Sequence, residues 1–155
     1  MLTDNIREKI NEMDGVIPRE KMPAGSIIQV VQGKLTSQTE SSAGTGTEVD
    51  IGLSASMSPH FKDSKVLVEL DSLPIRMRGT NTEVHFRLQR KFGWNGTWRT
   101  HVVTAEYSGT SSGSTFYNFE YYPGLNYMDS PGTTDEVYYR IMGVKHSGSN
   151  NVAYN

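Results

Sequence analysis

The chain has no cysteine, no long apolar run and no excess of charge of either sign. With zero cysteines in 155 residues, a disulfide framework and any thiolate zinc site are excluded. That absence also favours assembly in a reducing compartment such as a cytoplasm. No stretch approaches the roughly 18 consecutive apolar residues of a membrane span, and the N-terminus lacks the apolar core of a signal peptide. The expectation is a soluble chain with no membrane insertion, not exported by a signal peptide. Fifteen Lys and Arg against 17 Asp and Glu give a net charge of −2. They form no basic stripe, so nucleic acid is not an expected partner. Hydrophobic residues are also scarce, at 35%.

What replaces the missing aliphatics is informative. Fifteen glycines, 8 tyrosines and many Ser and Thr suit thin β-structure with large polar loops better than a helical bundle. A chain of this length is expected to form one main domain and to bury about 70% of its unfolded surface.

A seam divides the chain near Met22-Pro23-Ala24-Gly25-Ser26. Ahead of it, Leu2, Ile6, Ile10 and Met13 recur at helical spacing and predict a short amphipathic helix. Asn5 with Glu8 fits a capping box, Thr3 and Asp4 are competing caps, and Asp14-Gly15 fits a stop. Residues 15–23 read as an extended linker. A helix of about ten residues is marginal alone in water, so its stripe must pack on its own domain or on another molecule. Residues 1–22 are therefore read as an anchoring arm, and 23–155 as a β-sandwich domain.

Within that domain the pattern predicts strands at Ser26–Leu35, Thr47–Ile51, Leu53–Met57 and Ser64–Leu70, with an exposed loop over Thr36–Gly46. Pro59 and Pro74 read as strand ends. Asn95-Gly96 predicts a type I′ hairpin turn. Folding there sets Val84 opposite Tyr107, Phe86 opposite Ala105 and Leu88 opposite Val103. The other face pairs His85 with Glu106, Arg87 with Thr104 and Gln89 with Val102. One face is then apolar and the other mostly polar, as a half-buried ribbon requires. Thr115–Tyr122 and Glu136–Val144 complete seven or eight strands. Val137, Tyr139 and Ile141 share one face of the last, with Tyr138, Arg140 and Met142 on the other. Aromatics on both faces of these two strands imply burial on both sides, one of them against another subunit. The fold class expected is all-β, an antiparallel β-sandwich of jelly-roll type with a short N-terminal helical arm.

Residue patterns that could carry chemistry have simpler explanations. Gly109-Thr110-Ser111-Ser112-Gly113 matches a nucleophile elbow, but no helix follows it, so a polar loop is expected. His60, His85, His101 and His146 lack metal-ligand spacing. Asp129, Asp135 and Glu136 surround Ser130-Pro131-Gly132, where turn chemistry accounts for them. Asn95-Gly96-Thr97 is a formal glycosylation sequon inside the hairpin turn. No catalytic, metal or cofactor residue is assigned. Trp94 and Trp98 flank the hairpin tip, where exposed rings can stack on sugars. Alternatively they plug one end of the sandwich or meet a neighbouring subunit. Together with Tyr138 they are the candidate ligand or subunit contacts.

The run Met22-Pro23-Ala24-Gly25-Ser26-Ile27-Ile28-Gln29-Val30-Val31, a Ser/Thr-rich loop, Met57-Ser58-Pro59 and Ser64-Lys65-Val66-Leu67-Val68 follow one another in a telling order. Tyr127-Met128-Asp129-Ser130-Pro131-Gly132-Thr133-Thr134 and Val137-Tyr138-Tyr139-Arg140 come later. In that order they resemble a recurrent domain of tailed-bacteriophage structural proteins, of the marine and cyanobacterial phage kind, over residues 22 to 146. The resemblance implies a non-enzymatic virion protein, often homotrimeric, found at fibre tips and as head decoration, and assembled in the host cytoplasm. Fibres usually place this domain behind a long shaft. Only about 22 residues precede it here, which favours a capsid decoration or cement protein, or a short fibre, docked on a capsid or tail protein through Leu2, Ile6, Ile10 and Met13. The alternative is a fibre module that recognises host surface glycan.

Overall fold

A computed structural model describes residues 23, 26, 27, 29–71, 73–78, 82–103, 107–109, 116–121, 125–148 and 151–154. The arm residues Leu2, Ile6, Ile10 and Met13 lie outside them, as do Thr104, Ala105 and Glu106. The chain divides into two units, Met1–Val30 and Val31–Asn155, and every strand below belongs to the second.

That unit is all-β, with no helix among the described residues. Its strands are β1 (Thr39–Ser41), β2 (Glu48–Met57), β3 (Val66–Leu70), β4 (Leu73–Arg78), β5 (Thr82–Phe92), β6 (Arg99–Val103), β7 (Tyr107–Gly109), β8 (Phe116–Tyr121), β9 (Leu125–Asp129), β10 (Val137–Ser147) and β11 (Val152–Tyr154). All pairings are antiparallel and they nest. β1 pairs with β11, β2 with β10, β3 with β9, β4 with β8, and β5 with β6 and β7. The chain thus forms one long ribbon doubled back beyond β5. Two further pairings, β11 with β4 and β10 with β5, bring distant parts of that ribbon together. The resulting sheets run β1-β11-β4-β8, β2-β10-β5-β6 with β7 also on β5, and β3-β9.

One hydrophobic cluster draws on all three sheets. Ile51, Val66, Leu73, Ile75, Val84, Phe86, Leu88, Leu125, Val137, Tyr139, Ile141, Val152 and Tyr154 are buried within it. The alternation read in β5 and β10 is what builds it: Val84, Phe86 and Leu88 face in, and so do Val137, Tyr139 and Ile141. Phe86 meets the Tyr154 ring edge-on at 6.0 Å. Phe86 is also the register partner of Gly143. A Cβ at Gly143 would lie 2.6 Å from Tyr154 Cε1 and Oη, so only glycine leaves room for that ring. Burial pushes the Tyr154 hydroxyl pKa well above its ordinary value.

Several expectations need correction. None of the described residues of the predicted strand Ser26–Leu35 lies in a strand. Among the described residues the first strand is Thr39–Ser41, inside the segment expected to be a loop, because β11 supplies its hydrogen-bonding partner. Apolar content marks what can be buried, but a strand also requires a neighbour for its backbone groups. The two short strands expected over 47–57 are one strand, β2. Its register shifts opposite Ile141 and Met142, where Gly52 adopts φ 83°, as a β-bulge permits. Pro74 lies inside β4 rather than ending a strand. Among the described residues β11 pairs with β4 from Met77 to Ile75 and β8 reaches Pro74 through Glu120, so Pro74 sits near the start of its strand, where proline is accepted. β4, β9 and β11 were not anticipated, and the described residues hold eleven strands.

In the hairpin, β5 turns Val84, Phe86 and Leu88 inward as expected, but the register nearer the tip is wrong and exchanges the positions expected for Val102 and Val103. Val84 does pair with Tyr107. Nearer the tip Arg87 pairs with Val103 and Leu88 with Val102, a slip of one residue, and a second slip follows between Leu88 and Gln89. The turn is not the two-residue type expected. Gly96 N donates to Gly93 O at 3.2 Å, so Trp94 and Asn95 occupy its centre, and Gly93 takes φ 62°. Glycine is needed at 96 because a Cβ there would collide with the Phe92 carbonyl oxygen.

Candidate functional site

The face of the β2-β10-β5-β6 sheet that turns away from the core is built by register. Tyr138 on β10 sits between Ser56 of β2 and Lys91 of β5. One step along, Arg140 sits between Ser54 and Gln89, and Gln89 is paired in turn with Thr100 of β6. The loop after Phe92 then brings Trp94 and Trp98 over the same end of the sheet.

Charged groups knit this face together. Glu48 accepts from Arg87 Nη1 at 2.6 Å and from Gln89 Nε2 at 2.8 Å. The Arg87 hydrogen bond is the chief cause holding the Glu48 carboxyl below its ordinary pKa, against the opposing effect of burial. Gln89 Oε1 accepts from Arg140 Nε at 3.0 Å, and Arg140 Nη1 reaches Asp50 at 2.9 Å. Glu136 accepts from the Tyr138 hydroxyl at 2.5 Å and from Ser56 Oγ at 2.8 Å. These two hydrogen bonds lower the Glu136 pKa. The same bond to Glu136 raises that of Tyr138.

Trp94, Trp98 and Tyr138 converge on one ammonium. Lys91 Nζ lies 5.0 Å from the Trp94 ring centroid, 4.9 Å from that of Trp98 and 4.9 Å from that of Tyr138. It also donates to the Trp94 carbonyl at 2.7 Å. Each ring offers the negative face of its quadrupole to that charge. Trp98 is held by a second cation, with Arg140 Cζ 4.1 Å from its centroid. Trp94 meets Tyr138 edge-on at 6.2 Å and remains 76% exposed. The two tryptophans therefore differ: Trp98 is half-buried beside two cations, while Trp94 presents its ring to solvent. Lys91 and Arg140, which organise the cluster, were not singled out in the sequence. The signal was available, since Lys91 lies on the polar side of β5 and Arg140 was already placed beside Tyr138.

The remaining candidates occupy structural positions. Asp129 is 3% exposed. It accepts from Arg90 Nη1 at 2.5 and 2.7 Å, from the Tyr139 hydroxyl at 2.7 Å and from Ser130 N at 2.8 Å. Burial opposes its charge, but the Arg90 and Tyr139 hydrogen bonds outweigh that and hold the carboxyl below its ordinary pKa. Burial, with the Asp129 contact, pushes the Tyr139 hydroxyl far upward. Asp135 N donates to Thr133 Oγ1 at 3.0 Å, a turn contact. His85 stacks on His146 at 4.4 Å, while its expected partner Glu106 lies outside the described residues. His101 is the extra residue of β6 at the register slip. Its Nδ1 is 3.5 Å from the Tyr127 hydroxyl, and burial is the first cause lowering its pKa. Among the described residues no group of three or more His, Asp or Glu is placed to hold a metal ion. Set against known proteins, the chain matches no family model, no curated protein and no solved structure.

Proposed function

We propose that this chain is a non-enzymatic structural protein of a tailed-bacteriophage virion. It is a homotrimeric capsid decoration or short fibre protein, docked on a capsid or tail protein through the arm at Leu2, Ile6, Ile10 and Met13. The observation that carries the reading is the strand order. β1-β11-β4-β8 and β2-β10-β5-β6 come from one doubled ribbon. That is the order obtained when such a ribbon is rolled into the two sheets of a jelly roll, an architecture used by viral capsid and lectin domains. A subunit contact is supported by Leu67 and Met128, direct cross-strand partners that are 51% and 56% exposed. Adjoining apolar side chains on one strand pair are where a contiguous patch for a partner would be built.

Three arms on one trimer would raise the effective concentration for docking well above that of a single arm. The test is particle association. Chain lacking residues 1–22 should keep the β-type circular dichroism of the full chain and fail to join particles. Decoration at full occupancy by the truncated chain would refute the docking role. Sedimentation should give a trimer for the full chain and a smaller species for Leu67→Lys/Met128→Lys. A monomer at micromolar concentration would refute the trimer.

A second reading, a receptor-binding module for host surface glycan, is favoured by the gathering of Trp94, Trp98 and Tyr138 around Lys91. Saccharides are bound by aromatic faces beside a few fixed polar groups, and Trp94 offers an open ring beside Tyr138 and Glu136. Loss of glycan binding in Trp94→Ala would support it, and binding unchanged in that variant would count against it.

A further inference from the structure

Three cations lie on the outer face of the β2-β10-β5-β6 sheet near the aromatic cluster, and their partners differ. Arg87 is paired with Glu48 at 2.6 Å and Arg140 with Asp50 at 2.9 Å. Lys91 has no carboxylate partner among the described residues. Its ammonium is met by the Trp94 carbonyl and three aromatic rings. One of its three N–H donors is used on that carbonyl, which leaves two for a ligand.

We propose that Lys91, Trp94 and Tyr138 form a binding site for a carboxylate-bearing saccharide, a deeper form of the glycan reading on which this inference rests. The ammonium is the recognition centre. Aromatic faces stabilise a cation but supply no hydrogen-bond acceptor with a full negative charge, so a carboxylate adds charge-assisted bonds that the protein does not make itself. Trp94 supplies the second element. The residue is 76% exposed and its ring adjoins the ammonium, so a pyranose can lay its C–H face on the indole while its carboxylate reaches Lys91. Tyr138 donates its proton to Glu136, which leaves the phenolic oxygen free to accept from a sugar hydroxyl. A bare anion gains less: Arg140 is already paired with Asp50, Glu136 stands beside Tyr138 with only hydroxyl partners, and a small anion cannot use Trp94. Trp98 plays no direct part, being held by Arg140 and Lys91.

The test is fluorescence and calorimetric titration of the full chain with three acidic probes, tetragalacturonate, a hyaluronan tetrasaccharide and sialyllactose. Their neutral counterparts tetragalactose, chitotetraose and lactose are titrated beside them, with acetate as a bare anion. At least one acidic probe is expected to bind and quench tryptophan emission, at least tenfold more tightly than its neutral counterpart. Lys91→Met should weaken that probe by about 10- to 100-fold, the range of a charge-assisted hydrogen bond. Lys91→Arg should retain it within a few fold, and Trp94→Ala should lose it. Circular dichroism confirms that each variant is folded. Equal affinity for acidic and neutral probes, unchanged in Lys91→Met, overturns the acidic inference and leaves the glycan reading standing. Acetate binding as tightly as the best acidic probe overturns the saccharide and leaves an anion site. No binding by any saccharide overturns both.

Discussion

Replacing Asp129 by asparagine should destabilise the β domain more than any surface substitution. Asp129 links β9 to β5 and β10 through Arg90 and Tyr139, and the side chains of Arg90 and Asp129 are only 15% and 4% exposed. Asparagine keeps the shape but removes the charge, and its amide would point donors at groups that are themselves donors. Arg90 then remains largely buried with no compensating charge. Breaking one side of a buried pair in this way costs about 3–5 kcal/mol, a large share of the roughly 5–15 kcal/mol that holds a domain folded. For a chain of this length the corresponding fall in Tm is about 6–20 °C.

The measurement is urea and thermal unfolding followed by far-ultraviolet circular dichroism, for wild type, Asp129→Asn and Arg90→Met/Asp129→Asn. The double variant should recover part of the loss, because no unpaired charge stays buried. The pH dependence supplies an independent check. Asp129 titrates lower in the folded chain than its ordinary 3.8. Its contribution is therefore complete above that value and is lost as the pH falls through the folded pKa. Wild type should lose its advantage over Asp129→Asn in that acid window and keep it at neutral pH. A single variant within 1 kcal/mol of wild type at pH 7 would show that the pair does not secure this end of the core.

Gly143→Ala should lower stability by about 1–3 kcal/mol through overpacking against Tyr154, although alanine usually improves on glycine within a strand; unchanged denaturant midpoints would refute this. Phe86→Ala, deep in the core beneath Tyr154, should cost about 3–5 kcal/mol, read from the same unfolding curves. Gly96→Ala should push the loop off the Phe92 carbonyl and displace the indoles, shifting tryptophan emission and lowering the Tm. An emission spectrum identical to wild type would mean that the turn tolerates a Cβ there.

The parts of this protein legible in its sequence are those set by local periodicity. Alternation of apolar and polar side chains identified β5 and β10, and it named their inward residues correctly, because side chains of a strand point to opposite faces by geometry alone. The same alternation placed Tyr138 and Arg140 on the outer face, and the turn put both tryptophans at the hairpin tip, where Trp94 is exposed and Trp98 half-buried. The all-β, antiparallel character followed from composition and from the spacing of turns.

Contacts between distant segments decided the rest. β1 and β11 are three-residue strands that no local pattern distinguishes from loop; β11 completes the hydrogen bonds of β1, and β11 itself is held between β1 and β4. The second register slip between β5 and β6 arises where His101 is accommodated as an extra residue, its ring beside that of Tyr127 on β9. Asp129 reads in sequence as part of a turn, yet it is a buried carboxylate because Arg90 and Tyr139 arrive from other strands. Lys91 became the centre of the candidate site for the same reason: only the pairing of β5 with β10 sets it against Tyr138, and only the loop after Phe92 brings both indoles over it. Sequence determined which residues face in and which face out. The tertiary structure decided which of them meet, because pairing energy is settled between segments far apart in the chain.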